Sequence, residues 1–136
     1  MLAPVAYLNG DWVSMDDMKV SVVDQGFTMG VHAMELTRTF QKKLFRIDDH
    51  LRRLYRTLHT MRLDPQLSIE EMERLSHEAI ERNAAHFHSD DEMSLIHFIT
   101  PGITPSYTDI PAAEIPPTVG MHAFGINLGA FVDKYE

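Results

Sequence analysis

The chain has no cysteine among its 136 residues, which excludes disulfide scaffolds, thiolate nucleophiles and cysteine-based zinc sites. It also lacks any run approaching the roughly 18 to 20 apolar residues of a membrane-spanning helix. Its first residues, MLAPVA, have neither the basic flank nor the length of a secretory signal. Positive charge is the third scarcity: 12 Lys and Arg stand against 20 Asp and Glu, a formal net charge of −8. Binding along nucleic acid rests on a net basic surface, so neither nucleic acid nor a membrane is an expected partner, and a soluble cytoplasmic protein is expected. A hydrophobic share of 44% is that of a single globular domain with enough apolar surface to build a core.

What positive charge there is lies together. Eight of the 12 Lys and Arg fall in RTFQKKLFRIDDHLRRLYRTLHTMR, from Arg38 to Arg62. In an acidic protein such a cluster points to a small, local anion, or to a solvated helix face on which Arg52, Arg53 and Arg56 stand opposite Leu51, Leu54 and Leu58.

The order of elements follows from spacing. AYLNGDWVSM reads as a hairpin turning on Asn9-Gly10. MKVSVVDQGFTMG reads as a strand, with Val20 and Val22 alternating, that runs into a loop at Asp24. VHAMELTRTF alternates cleanly, which sets Ala33, Glu35, Thr37 and Thr39 on one face and Met34, Leu36, Arg38 and Phe40 on the other. QKK is a turn and LFRI a returning strand. Asp48 is a candidate cap for a helix bearing Leu51, Leu54, Leu58 and Met61 at helical spacing. Ser68-Ile69-Glu70-Glu71 is a capping box for a second helix, with Met72, Leu75, Ala79 and Ile80 as its buried stripe and fraying near Asn83 to His88. MSLIHFIT is a continuous apolar strand, PSYTDIPAAEIPP a proline-rich connection, and PTVGMHAFGI a last strand. The fold class expected is α+β: a mixed or antiparallel sheet with two helices on one face.

The succession LNGDWV, KVSVVDQGFTMG, ELTRTFQKKLFRIDDHLRRL resembles the opening of the class IV aminotransferases, the fold-type IV pyridoxal phosphate enzymes, a group that includes branched-chain and D-amino acid aminotransferases and aminodeoxychorismate lyase. The family shows an N-G-x-x-V start, a D-R-G-F-x-Y-G loop, an F-E-x-x-R strand and F-R-x-x-x-H-x-x-R-L at the first long helix. The counterparts are Asn9-Gly10, Asp24 to Gly30, Met34 to Arg38, and Phe45-Arg46 followed by His50 to Leu54. Ile99 to Gly102 resembles the later V-T-R-G. The resemblance implies the family's N-terminal small domain over residues 1–136. It also implies pyridoxal 5'-phosphate as the cofactor of the complete enzyme, an amino acid and a 2-oxo acid as substrates, and a homodimer.

The resemblance places the grip on the cofactor phosphate at Arg53, a role that a guanidinium suits because its planar fork gives paired, charge-assisted hydrogen bonds. It makes Arg38, Met34, Met29 and His97 candidates for lining the substrate pocket, His97 falling near where branched-chain enzymes often carry an arginine. Arg38 is also open to a bland reading as an ion-pair partner of a nearby acid. Met29 and Met34, where the family carries tyrosine and phenylalanine, give a differently shaped pocket. No catalytic residue is expected within the chain. The family holds its cofactor covalently on a lysine of a second, larger domain, whereas Lys19 opens a strand, Lys42 and Lys43 sit in a turn and Lys134 is near the terminus. The chain alone is therefore expected to be inactive, as part of a branched-chain-type aminotransferase or, alternatively, as a non-catalytic anion-binding or protein-interaction module or a lyase domain. His86-Phe87-His88 before an acidic loop reads as polar surface, and no metal is expected.

Overall fold

A computed structural model describes residues 4–88 and 91–127; Lys134, the last nine residues and Ser89-Asp90 of the acidic loop lie outside the described residues. Strands β1 (Val5–Leu8) and β2 (Asp11–Ser14) form the first hairpin. Asn9 and Gly10 both adopt positive φ, 51° and 101°, the backbone that a two-residue turn with native twist requires. Next come a helical turn α1 (Gln25–Thr28), β3 (Ala33–Phe40), the short β4 (Lys43–Leu44), helices α2 (Ile47–Met61) and α3 (Ile69–Asn83), β5 (Glu92–Thr100) and β6 (Thr118–Ile126). The six strands make one sheet in the order β2-β1-β6-β5-β3-β4, every pair antiparallel.

The α+β expectation holds, and both helices pack on one face. Their stripes, Leu51, Leu54 and Leu58 from α2 with Met72, Leu75 and Ala79 from α3, meet the inward residues Tyr7, Leu95, Ile99 and Met121 of the sheet. Leu54 is 1% exposed. Leu54→Ala is expected to cost about 2–5 kcal/mol of unfolding free energy, from lost transfer energy and an unfilled cavity, measurable by urea denaturation.

Three local expectations are corrected. Lys19 to Val23 is not a strand; Val20 and Val22 are 42% and 66% exposed, and this segment leads into Asp24, whose side chain caps α1 through the Gly26 amide at 2.7 Å. Asp48 does not cap α2. That helix begins at Ile47 after Arg46 in the left-handed region, and Asp48 and Asp49 occupy its first turn, where they pair with Arg46 and Arg52. The strand expected over Leu44 to Ile47 is only β4, because Phe45 and Arg46 bend away into the helix. Ser68 does cap α3, accepting from the Glu71 amide at 3.1 Å, while the Glu71 carboxylate turns to Arg74.

β3 inverts the usual pattern of a half-covered sheet. Its helix-facing residues Glu35, Thr37 and Thr39 are polar and buried, and its outward residues Met34, Leu36 and Phe40 are apolar and exposed. The buried polar atoms are satisfied, as burial demands. Thr37 donates to the Phe45 carbonyl at 3.2 Å, and Thr39 donates to Glu92 and accepts from the Met93 amide at 2.9 Å. Glu92 in turn accepts from the amides of Gln41 and Lys42, both in positive φ, and so pins the β3–β4 turn.

Candidate functional site

Cross-strand register sets the composition of the uncovered face. Residues opposite one another in an antiparallel pair share a face. Leu36 stands across from Ile96 and then His122, and Met34 across from Phe98 and then Gly120. Gly120 has a physical reason: a Cβ there would meet the Phe98 ring at 2.2 Å, so the missing side chain lets that ring lie flat on the sheet. The result is an open apolar face, with Met34 57% and Leu36 43% exposed, the kind of surface that marks a binding or docking site.

Arg38 lies on this face beyond Leu36. It stacks on Phe40, its guanidinium carbon 4.1 Å from the ring centroid, and its Nε donates to the Thr39 carbonyl at 3.2 Å. Among the described residues no acid pairs with it; Glu35, on the opposite face, is engaged elsewhere. Met34 and Arg38 are four residues apart along one strand, about 13 Å, so one small ligand would span rather than sit between them. Met29 follows α1 as an exposed residue in the loop that leads to β3.

His97 is a correction. It is paired in register with Glu35 and therefore faces the helices, 0% exposed; it cannot line a pocket with Met34 and Arg38. Its neighbours Ile96 and Phe98 take the open face instead. Ser76 donates to the Met72 carbonyl at 2.6 Å and so accepts from His97 Nε2–H at 2.8 Å, which leaves Nδ1 bare and buried. Burial holds the ring neutral, its pKa pushed down to about 4.

Arg53 sits on the other side of the sheet from Arg38, at the rim. Its Nε and Nη2 donate to the two oxygens of Glu35 at 2.8 and 2.5 Å. Glu35 Oε1 also meets His50 Nδ1 at 2.9 Å and accepts from the Leu36 amide at 3.2 Å. The Arg38 carbonyl accepts from Phe45, on the β4 side, and alternation turns the Leu36 backbone the same way, toward the outer edge of β3. Among the described residues β4 pairs only with Thr39 and Phe40. The carboxylate and the guanidinium it holds therefore lie along a free sheet edge where the two faces meet. Burial pushes the Glu35 pKa up, and its hydrogen bonds to Arg53 and His50 outweigh this and hold it below the usual carboxylate range. The Arg53 side chain is 65% exposed. Its other edge, the Nη1 and remaining Nη2 hydrogens, has no partner among the described residues.

The rest of the basic cluster is surface. Arg46 and Arg52 pair with Asp48 and Asp49, whereas Glu71 and Glu78 of α3 pair with that helix's own Arg74 and Arg82. Lys19 is paired with Asp17 at 4.0 Å, Lys42 donates to the His88 carbonyl, and Lys43 opens β4. Residues that sequence reasoning missed are Glu35, which holds Arg53, His50, which braces Glu35, and Phe98. Asn83 was missed as a fastener: it clips β1 to α3 by accepting from the Val5 amide and donating to the Val5 carbonyl, each at 2.9 Å. A cavity of about 540 Å³ lies between the α2–α3 connection and residues 102–119, away from Arg53 and the open face. Its one carboxylate, Asp24, is committed to Gly26 and Thr118.

Residues 32–114, more than half of the chain, match the family described as amino-transferase class IV. D-alanine aminotransferase of Staphylococcus aureus (strain MSSA476) is 30% identical over 114 residues, covering 83% of this chain and 38% of that protein. The chain thus spans about two fifths of the length of the curated relatives it matches first. Branched-chain amino acid aminotransferase from Escherichia coli superposes with a TM-score of 0.76 at 24% identity, covering 90% of this chain and 41% of the other. A hypothetical aminotransferase from Mycobacterium tuberculosis, in a PLP-bound form, superposes at 0.77 and 15% identity, covering 97% and 43%. The antiparallel sheet with helices on one face is that of the small domain of the fold-type IV enzymes, and this chain belongs to the class IV aminotransferase family.

Proposed function

We propose that the chain is the cofactor-phosphate-binding small domain of a pyridoxal phosphate-dependent aminotransferase acting between an amino acid with an apolar side chain, of the branched-chain type, and a 2-oxo acid. The observation that carries the reading is Arg53: a guanidinium held along one edge by Glu35 with its other edge open at the rim of the sheet. That free edge fits a phosphate dianion, which takes two parallel N–H donors in one plane. Bound pyridoxal phosphate would supply the electron sink that amino transfer requires. The chain's own part is to anchor the phosphate through Arg53 and to present Met34, Leu36, Ile96 and Phe98 as an apolar wall. Arg38 would meet a substrate carboxylate at the far end of that wall. The apolar wall supports the branched-chain reading. A second reading, D-alanine as donor, is favoured by the curated relatives; initial rates with L-leucine and D-alanine, in an enzyme that includes the lysine-bearing domain, separate the two. The whole enzyme would be a homodimer in the cytoplasm.

The test of the anchor is calorimetry of this chain with pyridoxine 5'-phosphate, which has no aldehyde to react with surface lysines, and with pyridoxine. The phosphate ester is expected to bind at least about tenfold more tightly, and Arg53→Ala is expected to erase that difference. Equal heats from the two ligands, or from the two proteins, would contradict the proposal.

A further inference from the structure

We propose that Glu35 is the positioning residue of the phosphate anchor, with His50 as its brace. The proposal rests on the reading of Arg53 as that anchor and concerns how its guanidinium is aimed. An arginine exposed on a helix has many rotamers, and a ligand that must freeze them loses affinity. Here the freezing is already done. Glu35 is 4% exposed on the helix-facing side of β3, a strand laddered to β5 over six residue pairs. Its Oε1 is further fixed by His50 and by the Leu36 amide. His50 and Arg53 are three residues apart on α2, so one helical turn delivers both to a single carboxylate. Pairing through Nε and Nη2 fixes the guanidinium plane and leaves its Nη1–Nη2 edge directed away from Glu35.

The sign of the effect discriminates positioning from simple charge. A carboxylate behind the arginine repels a phosphate, so on charge alone its removal would tighten phosphate binding. If Glu35 positions Arg53, its removal weakens binding. The test is a double-mutant cycle on this chain, titrating wild type, Glu35→Gln, Arg53→Ala and the double variant with pyridoxine 5'-phosphate. Glu35→Gln is expected to bind roughly tenfold more weakly than wild type, and the double variant no more weakly than Arg53→Ala alone. Glu35→Gln binding as tightly as wild type, or more tightly, while Arg53→Ala binds weakly, would overturn the positioning role and leave the anchor standing. An equal factor in both backgrounds would make Glu35 merely structural and also overturn it. Indistinguishable affinities in all four proteins would remove the anchor, and the positioning role with it. Should Glu35→Gln not fold, Glu35→Asp keeps the charge and withdraws the carboxylate by one methylene; weaker binding is expected, and wild-type affinity would overturn the proposal.

Discussion

Gly102→Ala is expected to lower the unfolding free energy by about 3 kcal/mol and to loosen the loop that carries Met29. Gly102 has φ +83°, a left-handed conformation that an L side chain enters at a cost. A Cβ there would meet the Pro116 carbonyl oxygen at 2.1 Å, a contact with backbone that no rotamer change relieves. The same residue holds two segments together. Its carbonyl accepts from the Gln25 amide at 2.9 Å, beside the bridge between Asp24 and Ile103. The loss is read as a fall in the urea midpoint, and the loosening as faster amide exchange at Gln25 and Phe27. An unchanged midpoint would show that the 116–117 segment yields freely, contrary to the close packing described above.

The second large effect is acid sensitivity from His97. An unfolded histidine titrates near 6.5, whereas the buried ring is held down at about 4. The fold therefore binds the neutral form. The stability this contributes is complete above pH 6.5 and is lost as the pH falls toward 4, at about 1.4 kcal/mol per unit and roughly 3 kcal/mol in all. Burial depresses His122 in the same direction, so His122→Phe is the control. Glu35 and Glu92 also lie below their ordinary range, and their contribution is lost only below about pH 4.5. The interval from 6.5 to 4.5 thus isolates the imidazoles. His97→Leu is expected to flatten most of the slope there in urea titrations at fixed pH; an unchanged slope would mean that the buried ring takes up its proton without cost.

How far the sequence revealed these features depended on how strongly each one was patterned. Asn9-Gly10, the two helix stripes and the Ser68 cap are local signals, and each stands where spacing puts it. The alternation of β3 correctly separated Glu35 from Arg38, yet which face the helices cover is a tertiary choice, and here they cover the polar one. MSLIHFIT is apolar at nearly every position, so no alternation betrayed that His97 faces inward and Phe98 outward; only register with Glu35 decides it. Val20 and Val22 alternate like a strand but, among the described residues, have no strand beside them. Resemblance singles out Arg53, while the carboxylate that aims it lies 18 residues away in sequence, joined only when α2 folds over β3. His50, one helical turn before Arg53, was the single available hint.

The side-chain nitrogen spectrum of ¹⁵N-arginine-labelled protein tests the phosphate anchor most directly, with Arg53 assigned by its loss in Arg53→Ala and inorganic phosphate as the probe. A guanidinium already locked to Glu35 should show an exchange-protected Nε–H before any addition, and its Nη resonances should shift saturably as phosphate is added. An Arg53 signal that is averaged at the start and unmoved at the end, while another arginine responds, would contradict it.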